Sequence, residues 1–228
     1  NTAKNNNISI IGIDGPTASG KTILANNIGS IIKNQGFKVA FLRLDWYLKE
    51  RTFRANDLKK LEEKCIKFYC EGELHMNLEK ETNFLKKIKR VRFDDFNKDK
   101  SESSIKLENL YSRENNGLCN GEIILNIEKG TVVILEGHYT SRPEISSNID
   151  INICLVSEEK ELLKRKIERV AGYRDEKETS DYFYRIDIPS FYYHFSRFFH
   201  GVDYLINNTN YKEPELLDSS NYFSWVQY

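Results

Sequence analysis

Residues 8–22 read ISIIGIDGPTASGKT, from Ile8 through a glycine-rich turn to Lys21 and Thr22. Ile8 to Ile13 is short, apolar and β-branched, and it ends in Asp14-Gly15-Pro16, the pattern of a buried strand meeting a turn. Gly15, Pro16, Thr17, Ala18, Ser19, Gly20, Lys21 and Thr22 then fit G-x-x-x-x-G-K-[ST] without a mismatch. Each position has a chemical reason. Glycines let the backbone wrap a phosphate so that several amide N–H groups point inward. A helix opening near Lys21 adds its positive end. Lys21 brings a mobile point charge to the β and γ phosphates, and the Thr22 hydroxyl is a ligand for Mg²⁺. Ile23, Leu24, Ile28, Ile31 and Ile32 recur at helical spacing up to Gly36, so the motif follows a strand and opens a helix. A chance glycine-rich turn would need neither flank. The segment therefore predicts a triphosphate-binding loop, with ATP and Mg²⁺ as cofactors.

Outward from this loop, Lys38 to Leu44, Thr131 to Leu135, Ile151 to Val156 and Val202 to Ile206 read as further strands, separated by helical segments. That alternation predicts an α/β fold, a doubly wound and mostly parallel sheet covered by helices. Residues 51–127 break the rhythm with an expected insertion. It holds charged helical segments at Asn56 to Cys70 and Leu78 to Arg90, then a hairpin of Ile105 to Tyr111 with Glu122 to Ile127. Such a helix-plus-hairpin lobe is suited to carry an acceptor site. Glu158 to Phe199 is again helical, broken near Gly172. The expected organisation is a disordered leader at residues 1–7 and one domain at 8–208, with a lid at about 165–185. A tail at 209–228 follows, whose Tyr222, Phe223, Trp225 and Tyr228 would dock on the domain or on a partner chain, a second copy included.

Composition narrows the function. The 34 basic and 34 acidic residues balance, which counts against a nucleic-acid-binding protein. The run Lys86 to Arg92 is either a phosphate-facing patch or a solvated helix face. No apolar run approaches the ~20 residues that span a bilayer, so no membrane partner is expected. Cys65, Cys70, Cys119 and Cys154 lack zinc-site spacing and predict reduced thiols in the cytoplasm. No Asn-Lys-x-Asp segment marks a guanine-reading GTPase.

The second strand runs into Arg43-Leu44-Asp45-Trp46-Tyr47-Leu48. An aspartate just past the end of a parallel strand lies where such sheets hold ligands. Asp45 either takes the proton of an attacking hydroxyl or simply caps the next segment. With the phosphate loop, Asp45-Trp46-Tyr47 and Ile134-Leu135-Glu136-Gly137 in order, the chain resembles the uridine kinase and phosphoribulokinase family. The similarity continues through Leu110-Tyr111-Ser112-Arg113, the arginines at 165, 169 and 174, and Pro189-Ser190-Phe191, so it spans roughly residues 8–208.

That resemblance implies a P-loop kinase that moves the γ phosphate of ATP to a hydroxyl of a small acceptor, first of all a nucleoside such as uridine or cytidine. It implies Asp45 as general base, Glu136 supporting the Thr22-bound Mg²⁺, and Tyr47, Tyr111 and Arg113 in the acceptor pocket. His75 and His138 would border that pocket, with a structural role open for both. Arg165, Arg169 and Arg174 would belong to a lid closing on the triphosphate, Arg169 and Arg174 in catalysis and Arg165 in nucleotide binding. Without the resemblance these arginines also suit a surface helix paired to Glu158, Glu159 and Glu161. Ile13-Asp14-Gly15-Pro16 is similar to the opening of cytidylate kinases, and Asp14 is either a second acid at the metal or a turn-former. Rival functions are a nucleoside monophosphate kinase, a kinase of another small alcohol or of a modified base, and a non-enzymatic ATP switch module.

Overall fold

The computed structural model describes residues 8–63, 76, 83, 85–86, 88, 102–112, 115–128, 130–172 and 174–218. Its centre is a six-stranded sheet built from β1 (Ser9–Asp14), β2 (Val39–Arg43), β5 (Val132–Glu136), β6 (Ile151–Val156), β7 (Tyr204–Asn207) and β8 (Glu215–Leu217). Their order across the sheet is β2-β5-β1-β6-β7-β8. Every pairing is parallel except that of β7 with β8. All five residues of β5 are buried, as expected for a central parallel strand covered on both faces. Parallel alignment brings the carboxyl ends of β1, β2, β5, β6 and β7 to one edge, where ligands of such sheets bind.

Helix α1 (Lys21–Asn34) covers one face, packing Ala25, Leu24 and Ile28 against Ile13 and Ile134. On the other face Ile8, Ile10, Leu42 and Leu135 share a core with Ile105, Leu107, Leu110 and Ile127. Those four come from the antiparallel pair β3 (Glu102–Ser112) and β4 (Leu118–Glu128). The inserted hairpin is thus fused to the central core. Helix α2 (Arg51–Glu63) starts ahead of the expected Asn56, and α3 (Pro143–Ser146) is a short turn of helix after β5. Helices α4 (Glu159–Val170), α5 (Glu176–Tyr182) and α6 (Ile188–Phe198) follow β6. A π turn, Phe183–Asp187, joins the last two without interruption. The aromatic residues of α6 are core, with Phe191 and Phe195 against Cys154, Val156 and Leu205.

One further difference from the sequence reading stands out. The chain after residue 208 contributes β8, an antiparallel edge strand too short to show alternation. The aromatic tail residues, Cys65, Cys70 and most of the run Lys86 to Arg92 lie outside the described residues. Among the described residues no helix is long and apolar enough to cross a membrane.

Candidate active site

Between β1 and α1 the chain turns sharply through Gly15 to Gly20. Gly15 sits at φ 141, and a Cβ there would lie 2.5 Å from the Leu155 carbonyl oxygen, so only glycine fits. Lys21 folds back over the loop, its Nζ donating to the carbonyls of Gly15 at 2.9 Å and Pro16 at 2.7 Å. Burial holds its ammonium below the ordinary value, against the opposing pull of Asp14, Asp45 and Glu136, while Arg169 adds to the lowering. Charges from four different elements therefore converge on this one amine. The Ser19 hydroxyl is buried there without a hydrogen-bond partner. An orphaned hydroxyl, a buried ammonium and a loop closed to any Cβ at Gly15 fit a bound phosphate chain.

The magnesium candidates meet as well. Glu136, at the end of β5, accepts from the Thr22 hydroxyl at 2.8 Å through Oε2. Its Oε1 lies 3.3 Å from Nε of Arg43, which the β2–β5 register sets directly opposite. Among the described residues no group of three or more His, Cys, Asp or Glu side chains forms a cation cage. A hydroxyl and a carboxylate beside a phosphate site suit Mg²⁺, which keeps several waters and takes its other oxygens from the nucleotide.

A cleft of about 1290 Å³ opens from this loop toward the hairpin. Asp45 and Trp46 reach it from a 3₁₀ turn, Leu44–Tyr47, that follows β2. Tyr111 and His138 also line it. The Tyr111 hydroxyl accepts from Arg54 Nη2 at 2.9 Å, which fixes the phenol at the cleft wall. Tyr47 takes a different place from the expected one. The tight turn sends it into the core, where it borders a separate cavity of about 240 Å³, and the cleft wall goes to its neighbour Trp46. His75 and Arg113 lie outside the described residues.

The three arginines part company. Arg169 Nη2 donates to the Thr17 hydroxyl at 3.1 Å, at the phosphate loop itself. Arg165 pairs with Glu161 one helical turn away and donates to the carbonyls of Asn208 and Thr209, at 3.0 and 2.7 Å. Asn208 in turn donates from Nδ2 to the Ser19 carbonyl at 2.8 Å, so Arg165 braces the loop after β7 against the phosphate loop. Arg174 stacks over Tyr182 with 5.6 Å to the ring centroid and is not among the cleft residues. Lys166 and Asp187 form a buried ion pair that ties α4 to the π turn.

Asp14 supports the turn that follows it and reaches well beyond that turn. Its carboxylate is buried and accepts from the N–H groups of Gly15, Tyr139 and Ser141 and from the Ser141 hydroxyl, at 2.7, 2.9, 3.0 and 2.6 Å. His194 Nε2 lies 3.4 Å from it. Burial alone would raise this carboxyl, but the bonds and charge from His194 and the bonds from Ser141 outweigh it and hold Asp14 well below the ordinary 3.8. A lowered folded value adds stability above the ordinary carboxylate range and gives it up as pH falls through that range. Melting temperature followed from about pH 6 to about pH 3 should therefore fall more steeply in the wild type than in Asp14→Asn, which has no carboxyl to protonate. Parallel curves would remove Asp14 from the acid response.

Arg43, Trp46, Asn208, Ser141 and His194 were missed as site residues. Trp46 and Arg43 flanked a residue already singled out, so their signal was present. The other three carry no local motif and are found only through contacts across the fold.

No protein-family model matches the sequence, and neither does any curated protein. Solved structures do. Phosphoribulokinase from Rhodobacter spheroides aligns with a TM-score of 0.60 at 12% identity, covering 89% of this chain and 70% of that one. D-Glycerate 3-kinase from Cryptococcus neoformans aligns at 0.57 and 13% identity, over 92% and 90% of the two chains. A proposed fructose transport system kinase from Silicibacter sp. aligns at 0.54 and 14% identity, over 81% and 82%. The fold is that of the P-loop kinases.

Proposed function

We propose that the chain is an ATP-dependent kinase that phosphorylates a hydroxyl of a small acceptor, and that the acceptor is a nucleoside. The observation that carries this reading is the convergence of Lys21, Glu136 and Asp45 on one cleft that continues past Asp45 to Trp46, Tyr111 and His138. A hydrolase or switch has no use for such a space. In this reading Lys21 exchanges the Gly15 and Pro16 carbonyls for phosphate oxygens, and Arg169 holds charge from the lid side. Thr22 and Glu136 hold Mg²⁺, which when bound neutralises the phosphates and aligns them. Asp45 accepts the proton of the acceptor hydroxyl as its oxygen attacks. Trp46 offers an aromatic side chain against which a planar base can lie, and Tyr111, held by Arg54, closes the wall beside it.

An acceptor screen tests this. Purified protein with Mg²⁺ and ATP is offered nucleosides, nucleotides, sugars, glycerate and other small alcohols, and ADP release is followed. The expected result is stimulation by uridine or cytidine well above the acceptor-free rate. Stimulation only by another alcohol keeps the kinase and removes the nucleoside. Stimulation only by nucleoside monophosphates, whose phosphate is already ionised, removes the need for Asp45 as base. A rate that no compound changes favours the switch module.

A further inference from the structure

Loop 137–141, which leads from β5 toward α3, has an unusual backbone. Tyr139 holds φ 77, a conformation that a bulky side chain keeps only where its surroundings enforce it. The enforcement is visible. Gly137 N–H donates to the Ile13 carbonyl at 3.1 Å, and Tyr139 N–H donates to Asp14 Oδ1 at 2.9 Å. His138 is the single residue between these two anchors, and it lines the cleft. Two residues on, the backbone and hydroxyl of Ser141 both bond Asp14 Oδ2, and the Tyr139 ring meets His194 edge-on at 4.7 Å between centroids.

We propose that Asp14 is a positioning residue that holds this loop in its strained form and thereby sets His138 in the acceptor side of the cleft. The setting of His138 is a matter of geometry; its service to an acceptor rests on the kinase reading. The hydrogen-bond directions also assign a tautomer. Ser141 has one hydroxyl proton and spends it on Asp14, so the 2.7 Å contact between its oxygen and His194 Nε2 requires a proton on that nitrogen. A chain of donors thus runs from α6 through Ser141 to the last residue of β1. It lies too deep for chemistry, with Asp14 1% and His194 and Ser141 each 2% exposed.

The test uses protein with ¹⁵N-labelled histidine rings, the His138 signal being assigned with His138→Gln. In the wild type, His194 should show a protonated Nε2 whose proton exchanges slowly with solvent. Asp14→Asn is nearly isosteric and keeps one carbonyl oxygen for Gly15 and Tyr139, but it turns an amide NH₂ on the Ser141 N–H. It should stay folded and shift the ring signals of His138 and His194, leaving that of half-exposed His200 in place. Asp14→Ala, which removes the Tyr139 anchor as well as the bonds to Ser141 and leaves Gly137 on the Ile13 carbonyl, should shift His138 further. With an acceptor in hand, Asp14→Asn should raise the acceptor KM about tenfold, the scale of one lost bond to a charged group. The Kd for Mg²⁺·ATP should stay within about twofold, which separates positioning of the acceptor side from a general loosening. Folded Asp14→Asn and Asp14→Ala variants that both leave the His138 signal unmoved overturn the proposal. So does a parallel loss of nucleotide affinity. Wild-type protein that turns over no acceptor removes the kinase reading alone, since the histidine signals decide the placement of His138 without any substrate.

Discussion

Asp45→Asn should lower turnover by roughly 10²- to 10⁴-fold, the range that a positioned general base contributes. Affinity for Mg²⁺·ATP should hardly change, because the nucleotide's proposed contacts are with the loop from Gly15 to Thr22 and with Arg169. The substitution conserves shape and removes the ability to take a proton, and the Leu48 N–H that closes the 3₁₀ turn bonds the Asp45 main-chain carbonyl, which it leaves intact. If Asp45 served only to cap the following segment, the variant would keep both its stability and its activity, because asparagine caps as well as aspartate. Turnover and thermal melting measured on one preparation separate the two. A well-folded variant retaining most of its activity would end the general-base reading and bring forward acceptors that are already ionised.

Lys21→Met is expected to be nearly as damaging for a different reason. It keeps the aliphatic stem and deletes the charge, so nucleotide affinity and turnover should fall together by about 10²- to 10³-fold, as on loss of a main electrostatic contact in a dry site. Stability should not fall with them. The part-buried ammonium donates to the Gly15 and Pro16 carbonyls, and desolvation already weighs against its charged form. Replacing a buried charge by an apolar group of similar volume is often neutral or stabilising. Calorimetric titration with Mg²⁺·ATP beside a melting curve checks both halves. A lower melting temperature with unchanged nucleotide affinity would make Lys21 a structural residue.

The parts of this site that were legible in the sequence are those made by neighbours in the chain. The phosphate loop is a run of eight residues between a β-branched strand and a helix, and both flanks read correctly. The hairpin was recognised from its two apolar stretches, though β4 extends to Leu118, well before the expected Glu122. The side-chain direction within Leu44–Tyr47 was not legible, because a 3₁₀ turn has neither the strand nor the α-helix period, and the resemblance pointed to Tyr47 where Trp46 lines the cleft. Arg165 had the right spacing for either role. It was the distant carbonyls of Asn208 and Thr209 that made it a brace. Asp14 was least legible, since its partners Tyr139, Ser141 and His194 are all remote in the chain and no spacing rule connects them.

The place of β1 in the sheet has a consequence for biosynthesis. Ile13 pairs with Glu136 on one side and Ile153 on the other, so β1 is held by two strands that follow it in the chain. Until Glu136 has left the ribosome, Ile8 to Ile13 lacks both of its strand partners and is a β-branched, apolar segment, the kind of exposed stretch on which growing chains aggregate and chaperones act. Contacts this distant in sequence also make for slow folding. The phosphate loop is therefore translated before the strands that frame it, and its surroundings are complete only once β5 and β6 have paired with β1.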